Sequence, residues 1–168
     1  MSKYRKLLMF KGTTLIDEAD YLLVIQFRWR IAQQGYAYTS LNRGGKNRDG
    51  KGKKSRVPLH QLVLRPREGL VIDHINRNRL DNRQCNLRHA TAAQNTANAK
   101  INARNRSGYK GVSKHKTTGM WQTYLSMKDK NKNLGYFKKP EDAARAYDKA
   151  AKEYYGDYAV LNFPEEHK

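Results

Sequence analysis

The sequence predicts an α+β fold, on three observations. Short apolar runs fill the first 41 residues and recur between Gly108 and Phe137, as strands would. Two segments, from Thr91 to about Lys100 and from Pro140 to Gly156, carry helix-start signals. Stretches rich in Asn, Arg, Lys and Gly separate these blocks, which suits a 168-residue chain built of small modules. The expected organisation is a β-rich module over 1–56, a two-strand and one-helix core over 57–100, a linker over 101–105, and a three-stranded sheet packed on one helix over 106–165.

In the first module the apolar runs are Leu7 to Phe10, Tyr21 to Phe27 and Tyr36 to Leu41, with Phe27, Trp29 and Tyr38 available for a small core. Residues 42–56 hold seven basic groups and one acid, a net of +6, and are rich in glycine. That composition predicts a mobile loop, either a solvated hairpin tip or an arm that tracks phosphates. His60 follows within the apolar run Val57 to Leu64.

In the middle block, Gly69 to His74 reads as a strand ending in Asp73 and His74. Ile75 to Cys85 reads as a polar loop, and Asn86 to Thr91 as a second strand. Thr91 and Gln94 form a capping-box pattern that opens a helix and sets Asn95 in its first turn. These groups suit phosphodiester hydrolysis. A hard divalent cation takes oxygen ligands such as the Asp73 carboxylate and the Asn95 amide. His74 titrates near neutrality and can deprotonate water. Asn82 or Asn86 can hydrogen-bond the loop from inside. Zinc is disfavoured, because Cys85 is the single cysteine and His60, His74 and His89 lack paired close spacings.

In the last module, strands are expected over Gly108–Ser113, Trp121–Lys128 and Leu134–Phe137. Pro140 fits a helix first turn, Glu141 and Asp142 complement its dipole, and Gly156 ends it. Residues 106–139 carry a net of +8 and residues 140–157 a net of −2. A basic sheet backed by an acidic helix should meet a polyanion with the sheet.

The 34 Lys and Arg against 15 Asp and Glu give +19 overall, spread along the whole chain. A polyanionic partner follows, nucleic acid above all. No run of 18 apolar residues exists, so no membrane span is expected. The first residues are too short in apolar content for a secretory signal. An intracellular, cytoplasmic setting is the expectation.

Two resemblances sharpen this. Asp73-His74-Ile75, Asn82, Asn86-Leu87-Arg88, Gln94-Asn95 and Asn98 resemble the HNH homing endonucleases, ββα-metal nucleases common in phage genomes and introns. The resemblance implies His74 as general base, Asp73 and Asn95 as ligands of one divalent metal (Mg²⁺ or Mn²⁺), and Asn86 as the Asn that braces the loop. It leaves His60 open between a supporting hydrogen-bonded role and a phosphate or leaving-group contact. It also implies a phage-infected or bacterial cytoplasm.

Residues 106–164 resemble the Apetala-two, or ethylene-response-factor, DNA-binding domain. The residues that carry this are Ser107 to Val112, Trp121, Leu134 to Phe137, Glu141 to Ala151 and Leu161 to Pro164. It implies a sheet lying in the major groove of double-stranded DNA. Where that family has Arg, this chain has Lys110, Ser113 and His115, and where it has Trp, Asn133. Neither Ser nor Asn can replace Arg at guanine, so the plant target is not expected here. Lys110, Lys114, Lys128 and Lys132 are expected at phosphates. Trp121 is divided between core and DNA. Arg77, Arg79 and Arg83 of the middle loop are further DNA candidates. The expected activity is a nick or double-strand cut, by a protein that is monomeric on DNA and takes no small-molecule substrate. The rival expectation is a non-catalytic DNA-binding regulator on a retained scaffold. An RNA-binding protein would explain the charge but not the Asp-His-Asn array.

Overall fold

The computed structural model describes residues 3–46, 52–127 and 130–167. The chain forms two compact units, 1–89 and 90–168. The division falls inside the segment expected to be one ββα core.

The first unit opens with a hairpin, β1 (Tyr4–Met9) antiparallel to β2 (Gly12–Asp17). Tyr21–Val24 is then a short helix, α1, where the apolar run Tyr21 to Phe27 was expected to be a strand. A three-stranded sheet follows in the order β3 (Arg30–Ile31), β4 (Ala37–Lys46), β5 (Gly52–Pro58). Most of the segment expected to be a loop, 42–56, is therefore the arms of a hairpin. Backbone pairing such as Leu41 with Ser55 and Asn42 with Lys54 is indifferent to the composition that suggested mobility. Residues 47–51 of that segment lie outside the described residues.

Leu59–Val63 forms α2, and β6 (Val71–His74) pairs with β7 (Leu87–Ala90). The core gathers Ile16, Val24, Trp29, Ala37 and Leu59, with Phe27 packed at its margin. Tyr38 is only half-buried and stacks under the Arg56 guanidinium instead.

The second unit begins with α3 (Ala92–Asn98), whose capping box is complete. Thr91 Oγ1 accepts from Gln94 N–H, and Gln94 Oε1 accepts from Thr91 N–H. The antiparallel sheet β8 (Val112–Lys114), β9 (Trp121–Ser126), β10 (Asn131–Phe137) packs on α4 (Pro140–Tyr155). Pro140 and Gly156 bound α4 as expected, Gly156 with φ of +54°. Strand β8 starts four residues later than expected. Gly108 and Gly111 hold φ of +77° and +76°, and a Cβ on Gly111 would stand 2.1 Å from the Tyr147 ring. Tyr147 needs that space to reach the Ala97, Leu125 and Ala151 cluster. Asp148, counted above with the acidic face, is wholly buried. It accepts from Asn162 N–H, Asn162 Nδ2 and Phe163 N–H, and so ties the C-terminal strap to the helix.

Candidate active site and nucleic-acid interface

His74 ends β6 and is 4% exposed. Its Nε2 lies 3.2 Å from Asn82 Oδ1, Asn82 Nδ2 lies 2.8 Å from Thr14 Oγ1, and Thr14 Oγ1 donates to Leu80 O at 2.7 Å. The protons along this chain are determined. Thr14 has one hydroxyl hydrogen, spent on Leu80, so it accepts from Asn82. Asn82 Oδ1 then faces His74, and Nε2 must carry the proton. A neutral His74 holds its basic lone pair on Nδ1. Burial keeps the imidazole pKa below its ordinary value, and the Asn82 bond and the Asp73 charge oppose that only in part.

The loop between the strands is wired by asparagines. Asn86 accepts from Asn76 N–H through Oδ1 and donates through Nδ2 to Asp81 O, at 2.9 and 2.7 Å. Asn76 Nδ2 donates to Asp81 Oδ2, and Asn78 caps Leu80 N–H. The N-terminal hairpin completes the frame. Leu15 N–H donates to Leu80 O and Asn82 N–H to Leu15 O, so residues 80–82 lie along β2 like a further strand. Sequence reading noted Asn82 as a possible brace but missed Thr14, for which no local signal exists.

His60 is buried on α2, and its ring centroid is 5.3 Å from that of His74. Tyr36 closes the group at 5.2 and 5.9 Å. Burial, then the neighbouring His74, lowers the His60 pKa to about 4. It is a neutral imidazole at physiological pH. Asp73 is 4% exposed and takes the Arg88 Nε–H on Oδ2 at 3.0 Å. Asn95 is exposed on α3 of the second unit. Asp73 and Asn95 are hard oxygen donors, suited to Mg²⁺ or Mn²⁺. Among the described residues, no cluster of three His, Cys, Asp or Glu that could hold a metal occurs.

Several expected DNA contacts are engaged within the protein. Arg83 grips Asp81 with two hydrogen bonds of 2.7 Å and lies over the Tyr4 ring. Arg79 donates to Gln34 O and lies over Tyr36. Arg77, at φ of +64°, is exposed. Lys110 reaches the carbonyls of Thr96, Ala97 and Ala99, where its charge closes the C-terminal end of α3. Trp121 packs beside the Val112, Ala143 and Ala144 cluster on the helix side. Lys114 pairs with Trp121 and Lys132 with Leu125, yet both lysines are exposed at strand ends. Ser113 and Asn133 are exposed, and Asn133 Oδ1 accepts from Gly135 N–H across a bulge. His115 bonds Thr118 and packs edge-on to Tyr136. Lys128 lies outside the described residues.

A family model of HNH endonucleases matches residues 65–97. An uncharacterised HNH endonuclease of Acanthamoeba polyphaga mimivirus is 27% identical over 158 residues, covering 90% of this chain and 76% of that protein. An AP2-like ethylene-responsive transcription factor of Arabidopsis thaliana is 39% identical over 66 residues, 33% of this chain and 12% of that protein. A rice protein of the same description is 43% identical over 63 residues, 36% of this chain and 10% of that protein. The chain thus spans about an eighth or less of the length of these two plant relatives. Both resemblances read from the residues, one to HNH endonucleases and one to Apetala-two domains, are found by these comparisons.

Proposed function

We propose that the chain is a metal-dependent endonuclease of homing type that hydrolyses phosphodiester bonds in duplex DNA. The HNH match supports a nuclease in general, and the nuclease and AP2-like relatives point to DNA as the partner. The observation that carries the finer reading is the proton chain from Thr14 through Asn82 to His74, beside the Asp73 carboxylate. A histidine kept neutral by burial, with its tautomer set by a carboxamide, is prepared to accept a proton.

In this reading His74 Nδ1 removes the proton from the water that attacks phosphorus. Asp73 and Asn95 would hold one divalent cation, which when bound supplies charge stabilisation to the phosphoryl oxygens and the leaving oxygen. Arg88 fixes the Asp73 carboxylate, and Asn86 keeps the loop in shape. His60 and Tyr36 wall the base on its apolar side. Products would carry 5′-phosphate and 3′-hydroxyl ends. Residues 57–100 serve as the nuclease core, 101–105 as the connection and 106–165 as the module that places it. One such site per chain suits a nick by a monomer inside a phage-infected or bacterial cell. No helix among the described residues is long and apolar enough to cross a membrane.

The test is supercoiled plasmid carrying the DNA that flanks the gene, with Mg²⁺ or Mn²⁺. Metal-dependent nicking that His74→Ala abolishes while binding persists is the expected result. Tight binding by the wild type with no cleavage under either metal would replace this reading with that of a non-catalytic DNA-binding regulator.

A further inference from the structure

On the outward face of the C-terminal sheet, three strands contribute one row of side chains. Strand register sets Gln122 opposite Ser113 on one side and opposite Tyr136 on the other. Gln122 Nε2 donates to Ser113 Oγ at 3.3 Å, and Tyr124 OH donates to Gln122 Oε1 at 2.8 Å. The carboxamide is therefore held from both ends and its plane is set. Each of its two polar atoms has capacity left: Oε1 accepts through two lone pairs and Nε2 carries two hydrogens. What remains is one acceptor and one donor, side by side on a fixed plane.

In the major groove, adenine offers N7 as acceptor and the N6 amino group as donor, which a carboxamide meets with two hydrogen bonds. Guanine offers two acceptors there and suits Arg or Lys. No member of the row is Arg or Lys. From the carboxamide held in a fixed plane and the lack of a guanidinium in its row, we propose that Gln122 reads an adenine and is a specificity-determining residue of this sheet. The inference rests on the reading that the sheet faces DNA.

Selection of binding sites from a randomised duplex pool tests it, using the full chain and Gln122→Ala. Wild type should select a site with one position where adenine is preferred by about 5- to 100-fold. Gln122→Ala should make that position degenerate and leave the others unchanged. Replacing that adenine by 7-deazaadenine should weaken wild type and leave the variant unaffected. An adenine preference that survives in Gln122→Ala, or a site with no such position, overturns the proposal. Tyr136→Glu, which sets an anion into the same exposed row, separates the underlying reading. It should lower affinity for all duplexes at least tenfold without changing the melting temperature. If Tyr136→Glu binds DNA as wild type does, the sheet does not face DNA and both readings fall.

Discussion

Asn82 Oδ1 lies 3.2 Å from His74 Nε2, and the other end of the same carboxamide is anchored on Thr14. The distance itself is ordinary. Its consequence is chemical, because an acceptor at Nε2 dictates where the histidine keeps its proton. Asn82→Ala removes that instruction and leaves the ring free to take the other tautomer. The cleavage rate should fall by about 100-fold, the scale of a general base in the wrong state. Affinity for DNA should stay within twofold. Single-turnover cleavage and a binding titration on the same duplex separate the two.

Asn82→Asp offers a sharper version. A carboxylate at this place favours the imidazolium and opposes the burial that now lowers the His74 pKa. The acidic limb of the pH–rate profile should move to higher pH. A limb that stays in place would show that His74 does not set it.

His60 links pH to stability. Its pKa in the folded unit is about 4, lowered by burial and then by His74, against an ordinary 6.5. The unfolded chain therefore binds the proton first as pH falls. Stability is complete above about pH 6.5 and declines toward pH 4, by at most about 1.4 kcal/mol per pH unit for this one group. Denaturant midpoints measured between pH 7 and 4 should follow that slope, and His60→Phe should flatten it.

Gly111→Ala should be among the most damaging small substitutions in the second unit. The new methyl would stand 2.1 Å from the Tyr147 ring, at a φ of +76°. Left-handed strain and overpacking each cost about 1–3 kcal/mol. Loss of the cooperative thermal transition of the second unit is the expected readout, with Gly119→Ala, which meets nothing within 4 Å, as the milder control.

Lys110 and Lys114 should part company. Lys110→Met removes the cation from the C-terminal end of α3 and should cost about 1 kcal/mol of stability. It should leave the salt slope of DNA binding unchanged. Lys114→Met should do the reverse and reduce that slope by about one. Equal effects on binding would place Lys110 at a phosphate after all.

What could be read in the sequence was what the chain decides locally. Thr91 and Gln94 form their cap within one turn, and Pro140 and Gly156 bound α4 through their own backbone preferences. The Asp73-His74 strand end and the Asn-rich loop were equally plain. Thr14 was not, because it meets Asn82 across 68 positions and nothing in a lone threonine on a hairpin announces that. The place of Lys110 was hidden for a related reason. Its charge calls for electron-rich oxygens, and the carbonyl dipoles of Thr96, Ala97 and Ala99 supply them from the chain itself. In residues 42–56, lysine and glycine reported solubility while the backbone paired all the same.

The docking of residues 80–82 along β2 bears on when the order at His74 arises as the chain is made. The threonine that orders the proton on His74 leaves the ribosome early, and its partner follows 68 residues later. A first unit whose hairpin has opened keeps the histidine but loses the bond between Thr14 and Asn82 that orders it. The order at His74 is in this sense a late property, completed only when residues 80–82 lie against the hairpin.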